Sequence, residues 1–141
     1  MNALRYFFII IAAANLMLNS DKSFAESQSQ YFVRPYVNVE TIEAAMKDGR
    51  TIFVNWKSKW CGTCNIQTKV LDAILMDEPT IAEQVLFVSL DWDDYRDDAF
   101  TRRLNIPRRS TLVLFKGTEE IGRLVAATKR SEIENLIRTA F

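Results

Sequence analysis

An apolar run of strand length, Thr51 to Trp56, leads within four residues into Trp60-Cys61-Gly62-Thr63-Cys64, and a helical repeat begins inside that motif. The run is rich in Ile, Phe, Val and Trp and shows no strict polar alternation, so both of its faces are expected to be buried. A strand covered on both faces, followed directly by a helix, constrains the fold to a sheet with helices on each side. The two cysteines are the only ones in 141 residues. A bond across so short a loop contributes little to fold stability, because it hardly restricts the unfolded chain. The pair therefore reads as chemistry rather than as a staple.

The rest of the chain repeats the alternation. A short helix is expected over Thr41 to Lys47, ending at Gly49. The helix after the motif should run from Gly62 to Met76, with Ile66, Val70, Leu71, Ile74 and Leu75 as its apolar residues. Asp77-Glu78-Pro79 stops it, and Pro79 can begin another short helical turn. Val85 to Leu90 reads as a second strand, and Asp97 to Leu104 as a helix. Thr111 to Phe115 and Glu120 to Val125 read as strands joined by a hairpin turn at Lys116-Gly117-Thr118. Ser131-x-x-Glu134 has the form of a capping box, ahead of a last helix with Ile133, Leu136, Ile137 and Ala140 on one face. The order βαβ, then hairpin, then helix predicts an α/β three-layer sandwich around a central mixed sheet.

The first 25 residues read as an export signal. Arg5 supplies positive charge, Tyr6 to Leu18 is apolar but for Asn15, and Ser23-Phe24-Ala25 has the small-x-small pattern of a cleavage site. The apolar run is shorter than the about 20 residues of a spanning helix, so cleavage before Glu26 is expected, leaving one domain over residues 26–141. An uncleaved anchor is the other reading. Export, to a periplasm or a similar compartment, would place the cysteines in oxidising surroundings, where a reversible dithiol is a redox tool.

Composition narrows the function further. Lys plus Arg and Asp plus Glu each number 18, and this balance gives no footing for nucleic acid. The chain has no histidine, so no imidazole can move protons or ligate a metal. Two thiolates alone do not complete a zinc site; a metal would need Cys61 and Cys64 from each of two chains. No G-x-G-x-x-G or Walker loop is present, so no cofactor is expected beyond a redox-active Cys61–Cys64 disulfide. Asp91, Asp93, Asp94, Asp97 and Asp98 form an acidic run, read either as a solvated loop and helical turn or as a docking surface.

Cys61 should sit at the start of the long helix, where free backbone N–H groups and the positive end of the dipole favour a thiolate. A lowered pKa would make it the nucleophile, and Lys57 and Lys59 would help if they approach it. Cys64, one turn on and more buried, would resolve the mixed disulfide. Trp60 would be a flat wall beside the sulfur, or plain core filling. Gly62 permits a tight turn before the helix, and Thr63 offers an uncharged hydroxyl between the cysteines.

With Ile52 to Trp56 leading into Trp60 to Cys64, and Thr111-Leu112-Val113-Leu114-Phe115-Lys116-Gly117 following at the right distance, the chain resembles the thioredoxin superfamily over residues 35 to 141. Leu90-Asp91-Trp92-Asp93 is also similar to the C-terminal domain of periplasmic disulfide reductases. The resemblance implies a thioredoxin fold with Cys61 attacking and Cys64 resolving. Three positions depart from it. Thioredoxins carry a cis-proline just before the Thr-Leu strand, where this chain has Ser110; Pro107 reads as an ordinary loop proline. A cis bond without proline costs about 3 kcal/mol, so a trans Arg109–Ser110 bond is expected. Arg109 takes the place whose backbone pairs with substrate. Ser110 would hydrogen-bond a sulfur or leave room for a metal, while Arg108 and Arg109 either favour the thiolate and attract acidic partners or are a solvated loop. Asn55 stands where the family buries a proton-accepting aspartate, so a slower attack by Cys64 is expected. Ala126 stands near the family's groove glycine.

The expected function is a thiol–disulfide oxidoreductase, reductase in direction, acting as a monomer on thiols or disulfides of exported proteins. Its reductant would be a membrane electron-transfer protein. A metal- or iron–sulfur-binding dimer and a non-catalytic binding module remain as alternatives.

Overall fold

The computed structural model describes residues 34–141, and the expected export signal at 1–25 lies outside them. Asn38 opens the first helix of the described residues, α1 (Val39–Lys47), by accepting the Thr41 N–H, as an N-cap asparagine does. The chain turns at Gly49 with φ +74° and enters β1 (Thr51–Lys57). The helix α2 (Gly62–Asp77) follows, then α3 (Thr80–Gln84) with Pro79 at its N-cap, and β2 (Leu86–Asp91). Two short helices, α4 (Trp92–Tyr95) and α5 (Ala99–Arg103), lead to β3 (Thr111–Lys116), β4 (Glu119–Val125) and the last helix, α6 (Arg130–Arg138).

The sheet order is β2-β1-β3-β4, with β1 parallel to β2 and antiparallel to β3, and β3 antiparallel to β4. The expected mixed sheet is therefore present. Strand β1 is central because both its faces are apolar. Its even residues Ile52, Val54 and Trp56 join Val39, Ile42 and Phe100 in one core, where Trp56 stacks on Phe100 at 6.0 Å. Its odd residues face α2 on the other side, where Phe53 meets Phe87 at 5.2 Å and Lys57 reaches Thr68. Each fully buried Phe, Leu or Ile in these layers stabilises the fold by about 1.5–3 kcal/mol.

The hairpin loop is the two residues Gly117–Thr118, with Gly117 at φ +57°. A bulge near Leu114–Phe115 shifts the register. Gly122 in β4 lies against α6 so closely that a Cβ there would stand 2.9 Å from Leu136 Cδ1.

Three sequence expectations are corrected. The single helix over Asp97–Leu104 is shorter, because the Asp98 side chain accepts the Phe100 N–H and starts the helix at Ala99. The Ser131–Glu134 capping box does not form. Lys129 is the N-cap, Ser131 is inside α6, and Glu134 instead pairs with Arg130 and Arg138. On α2, Ile66 points to solvent, and Gln67 takes the buried position in its place.

Candidate active site

Strand β1 ends at Lys57, and Ser58 to Trp60 make the turn that delivers Cys61 to the N-cap of α2. The Cys61 Sγ accepts the backbone N–H of Cys64 at 3.2 Å, as an N-cap side chain does. The two sulfurs are joined in a disulfide with Cα atoms 5.2 Å apart. Cys61 is 5 % exposed and Cys64 is fully buried, so an incoming group can reach only the first sulfur. Gly62 and Asn65 lie outward, and Thr63 is half-buried between the cysteines.

Ser110 closes the site from the opposite side. Its Oγ lies 3.2 Å from Cys61 Sγ and 3.1 Å from Cys64 Sγ. The residue is fully buried, with φ +65°. No cis peptide occurs among the described residues, so the Arg109–Ser110 bond is trans, as expected. The left-handed backbone costs a serine roughly 1–2 kcal/mol, and three hydrogen bonds hold it there. Its N–H donates to Trp56 O at 2.8 Å, its carbonyl accepts the Ala126 N–H at 2.8 Å, and Gln67 Nε2 donates to the same carbonyl at 3.1 Å. Ala126, placed by resemblance near a glycine, has φ +56°, a conformation that favours glycine.

Trp60 is 64 % exposed, which rules out core filling. Its Nε1–H donates to Asp93 at 2.8 Å, and the Arg109 guanidinium stacks 4.0 Å from the ring centre. The ring is thus fixed beside Cys61 by one carboxylate and one cation. Arg108 is exposed, with its carbonyl accepting the Thr111 hydroxyl. The acidic run is used as caps: Asp91 starts α4 and Asp98 starts α5.

Lys57 does not contact a sulfur. Its ammonium donates to Thr68 Oγ1 at 3.1 Å and lies 5.5 Å from the Tyr36 ring centre. Thr68 in turn donates to Cys64 O at 2.9 Å. Burial pushes the Lys57 pKa below its ordinary value, the Arg34 charge adds to that, and Asp72 opposes it. Asn55 is buried on the α2 face opposite Ser89 in the parallel ladder. Neither its Oδ1 nor its Nδ2 has a hydrogen-bond partner, and Ser89 Oγ, Ser58 Oγ and Gln67 Oε1 are also buried without one. No group of three or more His, Cys, Asp or Glu side chains suited to a metal ion occurs among the described residues.

Two residues of this site were not singled out from sequence. Gln67 lies one turn beyond Cys64, on the same buried side of α2, and its polarity there was the available signal. Asp93 enters the sequence reading in the acidic run and in the Leu90–Asp93 resemblance, in neither case as a partner of Trp60.

Comparison with known proteins gives the same outline. The sequence model of the thioredoxin family matches residues 35–139. A thioredoxin of Echinococcus granulosus is 32 % identical, over 66 % of this chain and 81 % of its own. Thioredoxin H4-2 of Oryza sativa subsp. japonica is 30 % identical, over 69 % and 68 %. Among solved structures, Trxlp of Edwardsiella tarda aligns with a TM-score of 0.63 at 17 % identity, covering 73 % of this chain and 96 % of that one. Mitochondrial thioredoxin 3 of Saccharomyces cerevisiae aligns with a TM-score of 0.61 at 20 % identity, covering 76 % and 94 %.

Proposed function

Because this chain belongs to the thioredoxin family and is a thiol–disulfide oxidoreductase with a Cys61–Cys64 disulfide, we propose that it is an exported reductase in which Cys61 attacks and Cys64 resolves. The observation that carries the assignment of roles is the Cys61 sulfur at the N-cap of α2, holding the Cys64 N–H at 3.2 Å. A backbone N–H and the positive end of a 16-residue helix both favour negative charge on that sulfur. Cys64 is buried behind it, with its sulfur bonded to Cys61.

In the reaction, the Cys61 thiolate attacks a substrate disulfide, and one substrate sulfur leaves with the bonding pair. Cys64 then attacks Cys61 Sγ, its proton departs, and the second substrate sulfur leaves. The dithiol becomes a disulfide and the substrate gains two electrons. Trp60 and Arg109 form the rim that a peptide would meet first. A protein donor of two electrons, of the membrane electron-transfer type, must reset the pair. Residues 1–25 supply the export reading, and the protein acts as a monomer.

The reduction potential in glutathione buffers tests the direction. A value near about −270 mV supports a reductase, whereas one near roughly −120 to −180 mV overturns that direction in favour of oxidation or isomerisation. Cys61→Ala should abolish disulfide reduction and Cys64→Ala should trap a mixed disulfide; unchanged turnover in both would sink the assigned roles. A reporter active only after export, fused behind residues 1–25, tests location.

A further inference from the structure

The Ser110 hydroxyl is fully buried, and its hydrogen-bond partners among the described residues are two sulfurs, Cys61 Sγ at 3.2 Å and Cys64 Sγ at 3.1 Å. A hydroxyl carries one donor and two acceptor lone pairs, and sulfur is a weak acceptor. In the disulfide neither sulfur bears a hydrogen, so the O–H must donate and its lone pairs receive nothing from the sulfurs. The oxidised site thus leaves a buried polar group only partly satisfied, which costs free energy.

Reduction changes the match. The disulfide takes two electrons from the protein donor and one proton, and becomes one thiol and one thiolate. We propose that the Ser110 hydroxyl then accepts the Cys64 S–H and donates to the Cys61 thiolate, so that it holds the negative charge on Cys61 and the proton on Cys64. This rests on the exchange roles proposed above and names what keeps the two thiols apart in charge. The thiolate belongs on Cys61 because that sulfur also receives the Cys64 N–H at 3.2 Å, at the positive end of α2. A bond to a charged sulfur is stronger than one to a neutral sulfur, and the chain from S–H through O–H to the thiolate polarises along its length. With two thiols the chain lacks a charged acceptor, and with two thiolates it lacks an S–H. The singly ionised pair alone fills both roles of the hydroxyl. Cys61 is therefore ready to attack, while Cys64 keeps its proton for longer. The dithiol also gains on the disulfide, which makes the pair easier for its donor to reset.

The backbone holds the oxygen where this chain needs it. Bonds from Ser110 N–H to Trp56 O, from Ala126 N–H and from Gln67 Nε2 over-determine the left-handed conformation. The charged groups around the site are otherwise engaged. Lys57 donates to Thr68, Lys59 lies over Tyr36, and Arg109 and Asp93 both meet Trp60. None of them hydrogen-bonds a sulfur, and a change at Ser110 leaves all of them in place.

Ser110→Ala is the decisive variant, since it keeps the Cβ at φ +65° and removes the oxygen alone. Ser110→Gly, which takes that φ freely, is the second. Reduced protein labelled with carbon-13 at the cysteine Cβ atoms would be titrated by NMR from about pH 5 to 10, so that each thiol reports its own curve. In wild type, Cys61 should ionise below the ordinary thiol value of about 8.5 and Cys64 above it. Both variants should bring the two midpoints closer by about one unit or more, a tenfold change in relative proton affinity. Equilibria of the same proteins with glutathione give a second readout. The variants should favour the disulfide more than wild type does, by a gap that widens to about tenfold as Cys61 ionises; a mere packing change gives the same gap at every pH. Midpoints as far apart in both variants as in wild type, or a gap independent of pH, overturn the proposal and leave the exchange roles standing. If Cys64 ionises before Cys61 in wild type, the exchange roles fall as well.

Discussion

Ser110→Pro would place the residue of the wider family into a backbone that does not accept it. Proline fixes φ near −65°, while Ser110 has φ +65°. The replacement also removes the N–H that donates to Trp56 O at 2.8 Å inside the protein, stranding a buried carbonyl at a cost of about 1–3 kcal/mol. Forcing the chain into a new path at Arg109 adds to this. The opposing gain, a stiffer unfolded chain, is at most about 1 kcal/mol. The net loss should be about 2–4 kcal/mol, on the order of 10 to 20 °C in Tm for a domain of this size. Ser110→Gly, by contrast, relieves the left-handed strain and should stay within about 1 kcal/mol of wild type. Thermal and urea melts of the oxidised proteins would show the order. If Ser110→Pro melts at or above wild type while Ser110→Gly falls far below it, the backbone at this position is not what restrains the residue.

Asn55→Asp should speed resolution by Cys64 near neutral pH, seen as faster collapse of the glutathione mixed disulfide. Because burial raises a carboxyl pKa, the variant should lose stability as pH rises above about 4, so melts at pH 4 and pH 8 should diverge. Gly122→Ala should stay within about 1 kcal/mol of wild type in a urea melt, since its Cβ would meet only the end of the Leu136 side chain, Cδ1 at 2.9 Å, which can turn away, and the lost backbone freedom of glycine offsets that shift; redox turnover should not change. In α6, hydrogen bonds from Arg138 and then Arg130 lower the Glu134 pKa. That stabilisation is present above the unfolded carboxylate pKa and disappears as pH falls through the folded one; Glu134→Gln should flatten this part of an acid unfolding curve.

Strands β1 to β3 were legible because each carries a mostly apolar run, β4 because a short hairpin turn ties it to β3, and α2 because the cysteine motif marks its start. Helix ends were less legible. Ser131 and Glu134 have capping-box spacing, but the helix begins at Lys129, and two arginines one turn away on either side compete for Glu134. Asp98 could be a cap or a helical residue by composition, and only the tertiary position of Phe100, buried against Trp56, decides for the cap. At the site, the cysteines were legible from their spacing alone, and Ser110 only through the resemblance that sets it where thioredoxins carry a proline. The contacts of Trp60 with Asp93 and Arg109 join three segments far apart in the chain, and no local pattern encodes such a meeting.

The disulfide spans a single helical turn, whereas the sheet is closed by pairings such as Trp56 with Thr111. The entropy of bringing β1 to β3 therefore dominates the search for the native topology, and the crosslink shortens none of those closures. Oxidised and reduced chains should fold at nearly the same rate. Ser110 reaches the sulfurs only when that last long-range pairing is made, so the thiols can close on each other before their pocket exists.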